Sequence, residues 1–344
     1  MQRAKLIVKN FGPLKDINIE VRETVCFIGK QATGKSTLAK LLAIFEDENF
    51  RKNRNSKFIS ELSKYNLRAF LSPETSIYYK RDNYEVSYSK NNLERLSKMK
   101  FGIPFSDDSL YIPSERNFLH LIAENTLGLI NNEVSIPKHI LDIGQEYEKA
   151  ISTIKELPLK LIDKNYTYKR EGKTSYIYHN NDEKVNLLES ASGLQSILPI
   201  LLLVEYAKSK TETHNYNFVI EEPELNIYPE TQHELIKYLI KNCQDNQQNH
   251  IHRKNLILTT HSPYVLASIN NLLLAFEKGK TFNKEVQRII PKGSWLNPNN
   301  FIAYELKNGK ARKIMDDKLG QIKNNMIDNA SENFADEFDK ILSL

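Results

Sequence analysis

Gly29-Lys30-Gln31-Ala32-Thr33-Gly34-Lys35-Ser36 has the spacing G-x-x-x-x-G-K-[ST] and runs on into Thr37. Before it, Glu23-Thr24-Val25-Cys26-Phe27-Ile28 is a short apolar run that reads as a buried strand. After it, Thr37-Leu38-Ala39-Lys40-Leu41-Leu42-Ala43-Ile44-Phe45 repeats its apolar residues at helical spacing. A strand, a loop and a helix in that order are the context in which this motif holds the phosphates of a nucleoside triphosphate. The two glycines let successive backbone N–H groups, and the positive end of the following helix, face the phosphate oxygens. Lys35 would reach the β and γ oxygens, and Ser36 would ligate magnesium. Residues Gly29 to Thr37 are therefore the candidate phosphate cradle.

The chain has 344 residues, 40% of them hydrophobic, enough for one large domain or two ordinary ones without covalent staples. Its two cysteines, Cys26 and Cys243, make no disulfide framework and no paired metal-ligand spacing. The chain opens into Leu6-Ile7-Val8 with no secretory core and no apolar run near 18 residues, so a soluble, cytoplasmic protein without membrane contact is expected. The formal net charge of +5 permits contact with nucleic acid without demanding it. The densest basic run, Arg51 to Lys57, reads as a solvated loop.

Leu6-Ile7-Val8 and Ile17 to Val21, separated by Asn10-Phe11-Gly12-Pro13, predict an antiparallel meander feeding the phosphate loop and a mixed sheet. Residues 46–164 read as an inserted, largely helical lobe. Within it Leu93-Glu94-Arg95-Leu96-Ser97-Lys98 reads as helix, Tyr84 to Tyr88 as strand, and Tyr147 to Ile154 as helix. Tyr166 to Arg170 and Ser175 to Tyr178 flank Glu171-Gly172 as a hairpin, which structure explains better than base stacking. Cys243, His250 and His252 lie at or within the polar stretch Gln244 to Asn255, which a surface loop explains better than metal binding.

Asn217-Phe218-Val219-Ile220-Glu221-Glu222-Pro223-Glu224 is an apolar strand ending in carboxylates, where Glu221 would hold magnesium and Glu222 would polarise the attacking water. Leu256 to Thr260 is another apolar strand, and it delivers His261. Ser190-Ala191-Ser192-Gly193-Leu194-Gln195 precedes a long apolar helix, with Ser192 as the expected N-cap.

Phosphate loop, Ser-Gly-x-Gln helix start, Glu-Glu-Pro-Glu and Thr-His-Ser-Pro, in that order, resemble the ABC-type ATPase heads of the SMC, RecF and OLD-like families, in particular their short arm-less bacterial members. The resemblance implies a P-loop α/β fold, with residues 1–344 as one head and 301–344 as a C-terminal extension. It implies ATP and Mg2+ as ligands and hydrolysis to ADP and phosphate. Lys35, Glu222 and His261 would be the catalytic residues, and Glu221 with Ser36 the metal side. Ser192, Gly193 and Gln195 match the signature motif that completes the ATP site of an opposite subunit, and Asn226 to Pro229 fall at the D-loop. Tyr111-Ile112-Pro113-Ser114-Glu115-Arg116 falls where related heads have the Q-loop. Three departures stand out: Glu221 where Asp is commoner, Gln31-Ala32 where Asn and Gly are usual, and Tyr228 where His is frequent. None removes a reacting group.

The same resemblance implies an ATP-dependent homodimer, or a larger assembly, acting as sensor or regulator with a separate effector such as a nuclease in anti-phage defence. Asp316-Asp317 and Asp336 to Asp339 lack the strand context of a built-in nuclease. The rivals are a RecF-type clamp binding duplex DNA directly, a transporter ATPase subunit, and a scaffold that binds ATP without hydrolysis.

Overall fold

The computed structural model describes residues 3–52, 58–97, 106–131, 136–180, 183–210, 214–243 and 255–343. In chain order the first strands are β1 (Ala4–Phe11), β2 (Leu14–Val21) and β3 (Thr24–Gly29), followed by α1 (Lys35–Glu46), α2 (Glu48–Lys52) and α3 (Phe58–Lys64). Then come β4 (Ser76–Arg81), β5 (Tyr84–Ser89), β6 (Asn92–Ser97) and β7 (Ser106–Ile112), with α4 (Phe118–Asn131) and α5 (Lys138–Thr153). Next are β8 (Glu156–Pro158), β9 (Tyr166–Glu171), β10 (Thr174–His179), β11 (Glu183–Asn186), α6 (Ser192–Ser209), β12 (His214–Glu221) and α7 (Pro229–Cys243). The rest is β13 (Asn255–Thr260), α8 (Pro263–Gly279), α9 (Asn283–Ile289), β14 (Phe301–Lys307), β15 (Lys310–Lys313), β16 (Met315–Asp316), β17 (Gln321–Ile322) and α10 (Met326–Leu342).

The chain forms two compact units, one from Met1–Leu38, Phe70–Met99 and Ile257–Leu344, the other from Ala39–Ala69 and Lys100–Leu256. In the first unit the strand order is β6-β5-β4-β1-β2-β15-β14-β3-β13. β1 and β2 pair antiparallel, with Leu6 opposite Ile19 and Val8 opposite Ile17. Ala4, Leu6, Val8 and Phe11 are buried while Lys5 and Lys9 face out, the period-two pattern of a half-buried strand. β3 is buried along its whole length and pairs parallel with β14, Cys26 opposite Ala303. A strand covered on both faces needs the continuous apolar run seen in the sequence. The sheet is therefore mixed, with the antiparallel meander at its N-terminal side.

In the second unit β12 pairs parallel with β7, Phe218 opposite Leu110 and Ile220 opposite Ile112. A separate sheet has the order β11-β10-β9-β8, and β9 and β10 form the expected hairpin around Gly172. α6 is buried over most of its length.

Two local readings are corrected. Leu93 to Ser97 lie in β6, antiparallel to β5, and not in a helix. Lys90 and Asn91 adopt φ 49° and 61°, the left-handed pair of a type I′ hairpin turn, so the turn overrides the helical spacing of Leu-Glu-Arg-Leu. At α6 the N-cap is Ala191, with no side-chain cap bond, and Ser192 is already the first helical residue. Lys98 lies outside the described residues, as do Asn53 to Lys57 of the basic run and His250 and His252. Cys26 and Cys243 are buried and not disulfide-bonded. Among the described residues no helix is long and apolar enough to cross a membrane.

Gly279 closes α8 beneath the Trp295 ring, where a Cβ would fall 2.2 Å from Cζ3. Gly279→Ala should therefore lower stability by about 1–3 kcal/mol through overpacking, although alanine is the better helix former. A urea titration monitored by tryptophan fluorescence checks this, since Trp295 is the single tryptophan of the chain.

Candidate functional site

The phosphate loop belongs to the first unit. Lys35 is 6% exposed, and its ammonium donates to the carbonyls of Gly29 and Lys30 at 2.9 and 3.0 Å. The Thr33 hydroxyl donates to the same Lys30 carbonyl at 2.8 Å. Gly34 has φ 100°, and a Cβ there would fall 2.4 Å from Leu14 Cδ2, so the position admits only glycine. Ala32 has φ 60°, a left-handed conformation costing a residue with a Cβ about 1–2 kcal/mol, which explains why glycine is the usual occupant. The first helical bond of α1 runs from Leu38 N to Gly34 O at 2.9 Å. The amides of Lys35, Ser36 and Thr37 therefore have no acceptor within the helix and form an anion-favouring end. Ser36 is exposed there.

His261 follows β13 in the same unit and is partly exposed. The residues on either side of it are hydrogen-bonded to one another. The Ser262 amide donates to Thr260 Oγ1 at 3.0 Å, and the Ser262 hydroxyl caps α8 by accepting from the amides of Tyr264 and Val265 at 3.1 and 3.4 Å.

In the second unit β12 ends at Glu221, which is 4% exposed. Glu222, the next residue, adopts φ 43°, a strained conformation for a non-glycine residue. The turn continues with Leu225 N donating to Glu222 O at 3.0 Å and Ile227 N to Glu224 O at 3.2 Å. The adjoining Tyr111 hydroxyl is pushed well above its ordinary range by burial, and next by the nearby Glu221 carboxylate.

The start of α6 lies against this turn. A Cβ on Gly193 would meet the Asn226 carbonyl oxygen at 2.7 Å, so the glycine of the signature match is required by backbone approach. Gln195 folds back, donating its side-chain amide to the carbonyls of Leu188 and Ser190 at 3.1 and 2.9 Å.

Two residues here were given no role of their own by the sequence, although Arg116 ends the stretch set at the Q-loop position. Arg116 is fully buried, and its guanidinium donates to Ser196 O, Ser196 Oγ, Pro113 O, Glu221 O and Glu222 O. Burial pulls its pKa down to about 10, against the opposing pull of Glu224, Glu222 and Glu221, so it stays charged at neutral pH. His120 Nε2 lies 2.8 Å from Gln195 O, and Nδ1 lies 2.6 Å from Tyr147 Oη. A carbonyl only accepts, so Nε2 carries the proton and Nδ1 accepts from the tyrosine. Pro199 stands four residues after Gln195 and has no N–H to offer that carbonyl, and His120 takes the missing donor's place. A proline inside a long apolar helix is the signal that could have pointed to such a partner.

The family model described as an AAA ATPase domain matches residues 1–131 and 72–266. A search of curated proteins found no match. Similar solved structures include the SMC head domain from Thermotoga maritima, 12% identical, covering 91% of this chain and 98% of that one, TM-score 0.42. The Smc head domain bound to the C-terminal domain of ScpA, from Pyrococcus furiosus, is 10% identical, covers 91% and 96%, and has TM-score 0.44. The recombination mediator RecF is 13% identical, covers 91% and 98%, and has TM-score 0.40.

Burial lowers the pKa of His120 to about 4, against about 6.5 in an unfolded chain. The unfolded state therefore binds the extra proton first. The stability due to neutral His120 is complete above about pH 6.5 and falls by roughly 3 kcal/mol as pH drops to 4. Urea midpoints of wild type and His120→Gln should converge over that window. Gly193→Ala should cost about 1–3 kcal/mol at pH 7 by pushing on the Asn226 carbonyl, measured in the same titration.

Proposed function

The chain belongs to the AAA ATPase domain family, and from that premise we propose an ATP-hydrolysing head that closes in pairs around two nucleotides and signals to a separate effector protein. The observation that carries the reading is the phosphate loop, with the Lys35 ammonium on the Gly29 and Lys30 carbonyls and the first turn of α1 beside an exposed Ser36. ATP is the substrate, converted with water to ADP and phosphate. Lys35 and the loop amides bind the β- and γ-phosphates, replacing the Gly29 and Lys30 carbonyls as partners of the ammonium. Glu222 takes the proton of the attacking water, and His261 holds the γ-phosphate side. Ser192, Gly193 and Gln195 complete the nucleotide site of a second copy.

Ser36 and Glu221 are the residues that would hold magnesium in this reading, each offering a hard oxygen donor. Among the described residues no group of three or more His, Cys, Asp or Glu could hold a metal by itself. When bound it supplies neutralisation of the phosphate charge.

The effector is a separate chain in this reading, and a nuclease in anti-phage defence is the role we favour for it. Contrary to the sequence expectation, Asp316 lies in a strand, the two-residue β16, where it accepts the amides of Lys318 and Leu319, and Asp317 pairs with Lys313.

Lys35→Ala should weaken ATP binding at least ~100-fold, whereas Glu222→Gln should bind ATP and lose about 100- to 10,000-fold in turnover. Mass determination with and without ATP and magnesium should give a nucleotide-stabilised dimer, most persistent in Glu222→Gln. Unimpaired turnover in Glu222→Gln overturns the base assignment, and an ATP-indifferent monomer overturns the paired site. Salt-sensitive capture of duplex DNA, with no second protein, would replace the effector role by a DNA clamp.

A further inference from the structure

We propose that Arg116 is a positioning residue of the hydrolytic site, setting the backbone of Glu222 and tying it to Ser196 near the start of α6. The inference rests on the reading of Glu222 as the general base. Arg116 has five N–H donors, and five acceptors meet it: Ser196 O at 2.8 Å, Ser196 Oγ at 3.1 Å, Pro113 O at 3.2 Å, Glu221 O at 2.7 Å and Glu222 O at 2.8 Å. No carboxylate oxygen is among them. The side chain is not spent on an ion pair, and what it fixes is main chain.

The two consecutive carbonyls decide the matter. Along a β-strand successive carbonyls point to opposite sides, so Glu221 and Glu222 can face one guanidinium only if the chain leaves the extended conformation between them. It does so at Glu222, where φ is 43°. A residue with a side chain avoids that region unless its surroundings impose it. The planar fork of Arg116 rewards just this geometry, one N–H to each carbonyl. Because the Cα–Cβ direction follows from the backbone torsions, the guanidinium sets where the Glu222 carboxylate starts from.

The same fork reaches Ser196 on α6, three residues after Gly193, whose own position is set by the Asn226 carbonyl. The helix start that would meet a second copy's nucleotide and the backbone of the proposed base thus share one cation. Lysine cannot replace it, since three tetrahedral N–H groups on one nitrogen cannot span acceptors placed for a planar five-donor fork. The stretch Tyr111 to Arg116, set at the Q-loop position by resemblance, receives its role from this geometry.

The test uses the full chain and four variants: Arg116→Lys, Ser196→Ala, Glu222→Gln and Arg116→Lys combined with Glu222→Gln. Steady-state hydrolysis and binding of a fluorescent ATP analogue are measured on each, after thermal melting shows which are folded. Arg116→Lys should lower kcat about 10- to 100-fold, the scale of a misplaced catalytic group, with KM for ATP moved less than about threefold. Ser196→Ala, which removes one acceptor and leaves the charge, should lower kcat about two- to fivefold with a melting transition that is lowered but still cooperative, and it carries the test if Arg116→Lys does not fold. The double variant should turn over no more slowly than Glu222→Gln alone, because a residue acting only through Glu222 has nothing left to position. Independent, multiplied losses in the double variant overturn the inference, as does a wild-type kcat in Arg116→Lys or Ser196→Ala while Glu222→Gln is inactive. If Glu222→Gln itself turns over at the wild-type rate, the base assignment fails and the inference with it.

Discussion

A guanidinium shut away from water must find a protein acceptor for each N–H, and that demand organises the second unit around Arg116. Each donor left over would cost about 1–3 kcal/mol, and more for a charged group. Backbone carbonyls from three separate stretches answer it: the turn at Pro113, the start of α6 and the end of β12. None of the three can shift alone without stranding a buried charge. Burial lowers the pKa only to about 10, so the demand persists throughout the neutral range.

α6 carries a second, opposite constraint. Pro199 strips one hydrogen bond from the helix and exposes the Gln195 carbonyl to whatever donor the fold can bring. His120 supplies it, and Tyr147 fixes the tautomer from the other side of the ring. Arg116 and His120 are four residues apart, so one short stretch after Pro113 secures both sides of the helix start. The glycine and the left-handed residues nearby are then parts of one local solution, in which close backbone approach is maintained by buried donors.

Most of the fold could be read from period and punctuation. β1, β2 and β3 announce themselves by alternation or by a continuous apolar run, the hairpin β9–β10 by its Glu-Gly turn, and the phosphate loop by its glycines. β6 was illegible because Leu-Glu-Arg-Leu has helical spacing and its turn, Lys90-Asn91, contains no glycine to mark a left-handed pair. Ser192 looked like a cap because serine commonly is one, but backbone geometry gave that place to Ala191. Arg116 was illegible for a deeper reason. A lone arginine in a sequence says nothing about which distant carbonyls will converge on it, since carbonyls carry no residue identity.

The two cysteines acquire a meaning that composition alone did not suggest. Cys26 lies in β3 of the first unit and Cys243 at the end of α7 in the second, both with no solvent exposure. A thiol reagent can reach neither until the segment around it opens. The molecule thus carries one built-in reporter per unit, and the two rates of alkylation, resolved by peptide mass, read the opening of each unit separately in the unmodified chain.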